Sequence, residues 1–262
     1  MLNEKEEKML RFYEGDVEGE DPFWSDPKAY LTINSLFFKG IENEVCRTDE
    51  NKRLNPFFLE DPERLMDVCI TLFEIAQKNR AEKNVSAYRV ERYNDYLAMK
   101  HAGKTISFTS TSTAEFLNDY RDKRGLALLR IEIEEGTPCI DMGALLSSYL
   151  KQNESEILLI PDTTVEIEEL EVTEEYKKIT DMDNAPPKVY ALIKVRKGSD
   201  SREEVLFDKA LYEQGAESGK RVYEALNQHD YPEEEDIQKY SLFKEMFVSE
   251  LKKKQKRFYF YR

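Results

Sequence analysis

The spacing of hydrophobic residues divides the chain into three parts. In the first 80 residues apolar positions recur every three or four residues, as on one face of a helix. Asp61-Pro62-Glu63 is typical of a helix start, and an apolar stripe follows, made of Leu65, Cys69, Leu72, Phe73 and Ala76. An earlier helix is predicted to begin at the cap Ser25-Asp26-Pro27 and to end at Gly40.

From Val85 onward apolar and polar residues alternate, which indicates strands. Six strands are predicted, at 85–90, 105–110, 126–134, 156–160, 164–172 and 188–195. Helical stretches separate the early strands, whereas turn-rich links join the later ones. This order favours an α+β fold, with a helical N-terminal layer and mixed or antiparallel sheets.

The last 60 residues return to helical spacing. Asp208 is a predicted cap, and a buried helix face is expected from Ile237, Tyr240, Phe243, Phe247 and Leu251. The basic run 252–257 is expected to complement the negative end of this helix. We therefore predict a catalytic domain over residues 1–200, made of N-terminal helices and a sheet core. Residues 201–262 should form a helical C-terminal extension packed on or beside it.

Composition narrows the functional classes. A net charge of −14 over 262 residues argues against a general nucleic-acid binder, because an acidic surface repels phosphates. The three cysteines and two histidines show no metal-ligand spacing, so neither a disulfide framework nor a metal site is expected. The charged start is unlike a signal peptide, and no apolar run reaches membrane-spanning length. We expect synthesis in the cytoplasm, with secretion or delivery into a target cell left open.

Three short motifs carry candidate chemistry, in a fixed order. They are an arginine on a strand, Tyr88-Arg89-Val90, a hydroxyl run, Phe108–Ser112, and a carboxylate pair, Glu154-Ser155-Glu156. An arginine within an apolar alternation needs an anionic partner, and a phosphate accepts two charge-assisted hydrogen bonds from its planar fork. A structural ion pair with one of the many acidic residues is the alternative.

The other two motifs also have simpler interpretations. Glu-x-Glu occurs again at 132–134 and 166–168, so a pair of solvated glutamates is the usual meaning of the pattern in an acid-rich chain. Ser112 and Glu115 have the spacing of a capping box for a helix over 113–120. That cap would also fix the turn that holds Ser110.

Taken together, the motifs resemble the arginine, Ser-Thr-Ser and Glu-x-Glu signature of mono-ADP-ribosyltransferases related to clostridial binary-toxin enzymes and vertebrate ecto-enzymes. The resemblance covers roughly residues 25–196. It implies an ADP-ribosyltransferase-like fold, in which the helical layer packs on two sheets that enclose an NAD cleft. It further implies transfer of ADP-ribose from NAD to a target protein with release of nicotinamide, without a metal.

The resemblance also implies roles for the two glutamates. Cleavage of the nicotinamide–ribose bond needs no general acid, since the leaving group departs neutral, but it needs a carboxylate that stabilises an oxocarbenium-like ribose. Glu156 is expected to do this and to bind the ribose 2′-hydroxyl. Glu154 is expected to orient the acceptor, and a glutamate there accompanies arginine acceptors in the family. If the strand begins early enough, both carboxylates project from one side, about 7 Å apart.

The remaining expected site residues follow the same resemblance. Ser110 should bind the catalytic carboxylate and the nicotinamide side of the pocket, and Thr111 should contact NAD beside it. The sequence departs from the family at Val90, where arginine or glycine is frequent, so Arg124 is a second candidate for the phosphates, with Tyr120 covering nicotinamide. Tyr149, in the loop 141–153, is expected to meet the acceptor protein.

Three alternative functions stay open at this stage. A glycoside or NAD hydrolase would use the same two carboxylates on water. An interaction protein could keep the fold without activity, although intact motifs argue against this. Transfer to nucleic acid is supported only by the basic C-terminal run.

Overall fold

A computed structural model of the chain describes residues 2–15, 21–49, 53–113, 125–146, 155–174, 186–196 and 206–260. These residues divide into two compact units. The sheet unit comprises Ile75–Ser201, and the helical unit combines Leu2–Glu74 with Arg202–Arg262. The chain passes from the sheet unit back to the helical unit after Ser201, next to the predicted boundary at residue 200. A catalytic domain made of residues 1–200 stays a prediction.

The helical unit is built from amphipathic helices. Its described helices are α1 (Glu4–Glu14), α2 (Ala29–Ser35), α3 (Glu42–Asp49), a 3₁₀ helix (Pro56–Leu59), α4 (Pro62–Lys78, which continues into the sheet unit), α7 (Lys209–Asn227) and α8 (Glu234–Phe260). Asp61 caps α4, because its Oδ1 accepts the Arg64 N–H at 3.0 Å. The predicted apolar stripe of α4 is buried, which confirms this helix.

The predicted start of the earlier helix is wrong. Asp26 Oδ1 accepts the N–H of Lys28 at 2.8 Å, and Ser25 Oγ donates to the Pro22 carbonyl at 3.3 Å. These bonds close turns instead of capping a helix. α2 therefore begins only at Ala29. It ends at Ser35, so the predicted end at Gly40 is wrong as well.

The two C-terminal helices pack closely on one another. Asp208 caps α7 as predicted, since its Oδ1 accepts the Leu211 N–H at 3.1 Å. A Cβ atom at Gly215 would lie 2.5 Å from the Cβ of Phe243, so only glycine permits this approach. Most of the predicted face of α8 is buried, namely Tyr240, Phe243, Phe247 and Leu251.

A buried ion pair lies inside the helical unit. Glu44 and Lys244 have side chains that are 0% and 2% exposed, and Lys244 Nζ donates to Glu44 Oε1 at 2.9 Å. The Tyr240 hydroxyl donates to the same oxygen at 3.0 Å, and Tyr223 shares a 2.7 Å hydrogen bond with Tyr240. Burial raises the pKa of both tyrosines. Lys244 also donates to the main-chain carbonyls of α2 and its following turn.

The sheet unit holds seven strands in one hydrogen-bonded sheet. They are β1 (Val85–Arg92), β2 (Thr109–Ser112), β3 (Leu126–Ile133), β4 (Cys139–Asp141), β5 (Glu156–Leu159), β6 (Thr164–Glu169) and β7 (Val189–Arg196). Two helices join them, α5 (Tyr93–Ala102) and α6 (Met142–Leu145). The strand order is β4-β5-β2-β1-β3-β7-β6. Neighbours are antiparallel except β3 and β7, which are parallel, so the predicted mixed sheet and α+β class are confirmed.

Chain connectivity shows that this sheet is curled. β5 ends at Leu159 and β6 begins at Thr164, yet the two strands are second and last in the sheet. Five residues reach at most about 18 Å, whereas five strand spacings cover about 24 Å. The two ends of the sheet must therefore approach each other, and Ile157 of β5 packs in one core cluster with Val165 of β6. The two predicted sheets are regions of this single curled sheet.

The strands differ from the prediction in three respects. The strand expected at 105–110 begins at Thr109, because Thr105 bonds to the turn after β5: its Oγ1 donates to the Ile160 carbonyl at 2.7 Å and accepts the Thr163 N–H at 3.0 Å. The edge strand β4 has only three residues and was not predicted. Strand β6 ends at Glu169, three residues before its predicted end.

Candidate active site

Residues of the three sequence motifs lie on three adjacent strands. β1 carries the arginine motif, β2 carries the hydroxyl run, and β5 begins with Glu156. β2 lies between the other two strands, and both pairings are antiparallel. Ser112 is the Cα partner of Tyr88 on one side and of Glu156 on the other. The fold thus brings together segments that are up to 68 residues apart in sequence.

The strand pleat separates these residues into two faces. Side chains of paired residues share a face, so Tyr88, Ser110, Ser112 and Glu156 lie on one side of the sheet. The opposite face carries the core cluster, which contains Ala87, Leu129, Ile157 and Leu159 among others. Arg89 is paired with Leu129, so its Cβ starts from the core face, away from that of Glu156.

Arg89 nevertheless reaches the hydroxyl strand. Its Nη1 donates to the main-chain carbonyl of Ser110 at 2.6 Å, and its Nε donates to Glu91 Oε2 at 2.5 Å. The side chains of Arg89 and Glu91 are 26% and 16% exposed. The ion pair that the sequence allowed as an alternative is therefore present, with Glu91 as the acid. The same guanidinium also ties β1 to the backbone of Ser110.

A side chain of the hydroxyl strand, β2, holds it to the neighbouring strand β5. Thr111 lies on the core face and donates through Oγ1 to the Ile157 carbonyl at 2.8 Å. Ser112 is buried, and Ser110 is half-buried. By register, Ser112 lies directly across from Glu156, whereas Ser110 lies across from Leu158. Ser112, for which the sequence favours a capping role, is thus the serine nearest to the Glu156 backbone.

Glu156 is a buried acid at the start of a strand. Its residue is 5% exposed, and it follows Ser155, whose φ of +45° lies in the left-handed region that non-glycine residues seldom adopt. The carbonyl of Ser155 accepts two bonds of 3.2 Å, from the N–H and from the hydroxyl of Thr113. Thr113, the residue after the hydroxyl run, therefore holds the turn that leads into Glu156.

This turn changes one geometric expectation. The two glutamates were expected to project from the same side on the premise that the backbone is extended through Ser155. The positive φ of Ser155 shows that this premise is wrong. The regular strand begins at Glu156 itself.

Several predicted site residues lie outside the described part of the chain. They are Glu154, Tyr120, Arg124 and Tyr149, together with residues 114–120 of the helix predicted after Ser112. Their roles remain predictions from the sequence.

Sequence reasoning missed Glu91. The signal was available, because residues two apart on a strand share a face, so Arg-x-Glu on β1 allows an ion pair between side chains that point the same way. The same spacing occurs on β3, where Arg130 Nη2 lies 3.3 Å from Glu132 Oε1.

Among the described residues, no group of three or more histidine, cysteine, aspartate or glutamate side chains could hold a metal ion. None of the helices in that part of the chain combines the length and apolar character needed to cross a bilayer.

Comparison with known proteins gives structural neighbours only. No protein-family model matches the sequence, and no curated protein matches it. Among solved structures, the chain is similar to Plx2a, an ADP-ribosyltransferase toxin from Paenibacillus larvae, with 12% identity, a TM-score of 0.45 and coverage of 75% of this chain and 88% of that one. It is also similar to an ADP-ribosyltransferase from Clostridium botulinum, with 11% identity, a TM-score of 0.45 and coverage of 74% and 87%.

A third neighbour is larger than this chain. BECa, an ADP-ribosylating toxin of a C. perfringens binary enterotoxin that was solved with NADH, is 14% identical, with a TM-score of 0.45. The match covers 74% of this chain and 43% of BECa. All three neighbours have low sequence identity to this chain; two are named as ADP-ribosyltransferases and the third as an ADP-ribosylating toxin.

Proposed function

We propose that this chain is an NAD-dependent mono-ADP-ribosyltransferase that modifies an arginine side chain of a target protein, in a toxin-like or effector-like role. One observation carries the proposal: the hydroxyl strand lies between the arginine strand and the strand that begins with Glu156. Segments distant in sequence thus lie side by side in the sheet. The burial of Glu156 adds support, since a glutamate of a solvated pair would not be only 5% exposed.

We assign Glu156 to the stabilisation of the ribose of NAD during bond cleavage. The bond between nicotinamide N1 and ribose C1′ breaks, and its electron pair leaves with nicotinamide, which departs neutral. The ribose then carries positive charge, and an anionic side chain held in a site of low polarity stabilises that charge strongly. We assign the orientation of this carboxylate to the hydroxyls of Ser112, across from Glu156 on the same face, and of Ser110, two residues along.

The second half of the reaction concerns the acceptor. An arginine guanidinium nitrogen attacks C1′, forms the new C–N bond and loses one proton. We assign Glu154 to the orientation of this guanidinium, through charge-assisted hydrogen bonds. The regular strand begins only at Glu156, after the Ser155 turn. The proposal keeps Tyr149 as a contact to the target protein, and Arg124 and Tyr120 as NAD contacts.

Labelled NAD in a cell lysate tests the proposal. Wild type should label protein, and treatment with hydroxylamine should release the label, as expected of an arginine linkage. Glu154→Gln should lose protein labelling but retain hydrolysis of NAD, because the sugar cation is still stabilised while water replaces guanidinium. Labelling by Glu154→Gln at the wild-type rate would contradict the acceptor role.

The same assay separates the rival functions. A hydrolase would release free ADP-ribose and label nothing. An enzyme acting on nucleic acid would give a label that nucleases remove and proteases do not. Either outcome would replace the proposed acceptor.

A further inference from the structure

Thr113 makes two hydrogen bonds to one main-chain atom just before Glu156. Its N–H and its hydroxyl both donate to the carbonyl oxygen of Ser155, each at 3.2 Å. This oxygen belongs to the planar peptide group that also contains the nitrogen and Cα of Glu156. Two donors on the oxygen therefore hold the plane from which the Glu156 side chain departs.

The backbone of Ser155 requires such a restraint. Its φ of +45° lies in a region that is unfavourable for residues with a Cβ atom. A residue keeps this conformation only where its surroundings enforce it. Without the donors of Thr113, rotation about the backbone bonds of Ser155 would turn its carbonyl and the following peptide together. The Thr113 contacts thus couple the residue after the hydroxyl run to the direction of Glu156.

The same contact sets the spacing between Glu156 and the hydroxyl strand. The Thr113 N–H bonds to Ser155 one position beyond the pair of Ser112 and Glu156. Hydrogen-bonded and non-hydrogen-bonded pairs alternate along an antiparallel ladder, so Ser112 and Glu156 form a non-hydrogen-bonded pair, in which side chains lie closer together. Glu156 is only 5% exposed, so protein groups, more than solvent, orient its carboxylate.

We propose that Thr113 is a positioning residue for the Glu156 carboxylate, acting through the Ser155 carbonyl. The consequence for catalysis rests on the proposed function, in which this carboxylate stabilises the ribose cation. Such stabilisation depends on a charge that is held in place before the reaction, and small misplacements reduce it strongly. This role requires no contact between Thr113 and NAD, so loss of the Thr113 hydroxyl should lower kcat and leave KM for NAD nearly unchanged.

Thr105 provides a matched control at the other end of β5. Its hydroxyl donates to the carbonyl of Ile160, the residue after the strand, at 2.7 Å. Thr105 is 1% exposed, whereas Thr113 is exposed, so removal of the Thr105 hydroxyl should cost more stability. Thr105→Val therefore removes a threonine contact of the same strand and leaves the Ser155 turn in place.

Release of nicotinamide from labelled NAD tests the inference. Thr113→Val keeps the N–H but loses the hydroxyl, and it should lower kcat about fivefold, as expected for one neutral hydrogen bond. Its KM for NAD should stay within twofold of the wild-type value. Thr113→Ser keeps both donors and should retain kcat within twofold. Thr105→Val should melt at a lower temperature than Thr113→Val, yet retain kcat within twofold.

A double-mutant cycle separates positioning from a general defect. In a Glu156→Gln background the carboxylate charge is gone, so adding Thr113→Val should lower the residual rate less than twofold. A loss as large as in the wild-type background would show that Thr113 acts independently of Glu156, which overturns the inference. An unchanged kcat for Thr113→Val alone overturns it as well.

A readout without NAD keeps the inference distinct from the proposed function. Crystal structures of wild type and Thr113→Val should differ at the Ser155 carbonyl, and the Glu156 carboxylate of the variant should be displaced or occupy several conformers. If wild type cleaves no NAD, the proposed function fails, and this structural comparison alone decides the positioning role. An identical Glu156 carboxylate in both structures would then overturn it.

Discussion

Glutamates from two Glu-x-Glu sequences lie in the same sheet with opposite surroundings. Glu156 begins β5, between β4 and β2, and is 5% exposed. Glu166 and Glu168 lie on β6, the last strand of the sheet, and both are exposed. Glu166 forms a 2.8 Å ion pair with Arg196, in which both side chains are 54% exposed.

The middle residue explains part of this difference. Ile167 is paired within a regular antiparallel ladder, so its two glutamates simply alternate outward from an edge strand. Ser155 has a positive φ and breaks the ladder just before Glu156. The same three-letter pattern thus describes a solvated edge in one place and a turn that delivers a buried acid in the other.

The strongest test of this comparison replaces one carboxylate in each place. Glu156→Gln should reduce the rate of NAD cleavage about a thousandfold, the effect of removing a preorganised charge that stabilises a transition state. Glu168→Gln should change the rate less than twofold. The measurement is release of nicotinamide from labelled NAD. Similar rates for the two variants would contradict the distinction between the buried Glu156 and the exposed Glu168.

Burial alone does not mark a catalytic acid, and Glu44 makes this testable. Glu44→Ala should lower the free energy of unfolding by about 3–5 kcal/mol, because it leaves Lys244 charged and buried without its partner. The exposed pair of Glu235 and Lys239 provides the control, and Glu235→Ala should cost about 0.5 kcal/mol at most. Chemical denaturation measures both. A loss of less than about 1 kcal/mol for Glu44→Ala would contradict the buried-pair description.

The smallest expected effect is a change in the free energy of unfolding on substitution of Ser155 or Ile167, the middle residues of the two Glu-x-Glu sequences. Ser155→Gly should raise the free energy of unfolding by about 0.5–1 kcal/mol, since glycine adopts the positive φ without strain but gains entropy in the unfolded chain. Ile167→Gly should lower it by about 2 kcal/mol, through lost packing and strand propensity. The opposite signs, measured in one denaturation series, are the prediction. A loss at both positions would show that the Ser155 turn is not strained.

Local signals in the sequence were sufficient for most elements. Asp61 and Asp208 were recognised as caps because a cap is decided by a few adjacent residues, and both accept the expected N–H groups. The strands β1, β3 and β7 were found from alternation, which follows directly from the pleat. The apolar face of α8 was found from its spacing in the same way.

Long-range decisions were beyond the sequence. The three residues of β4 are too few to show alternation, and the curl of one sheet depends on pairings between distant segments. The left-handed Ser155 has no local sequence signature of the kind that glycine gives. The contact of Arg89 with the Ser110 carbonyl involves a main-chain atom, so it cannot be predicted from a side-chain motif.

The position of β5 has a kinetic consequence. The segment that carries Glu156 enters the sheet between β4 and β2, and the chain then passes directly to the far end of the sheet. Pairings of this kind close large loops and form slowly. Helices and the more local strand pairings of a refolding chain can appear while Glu156 still lacks its final neighbours. Recovery of the NAD cleavage proposed for Glu156 should therefore follow the completion of folding and lag behind recovery of circular dichroism.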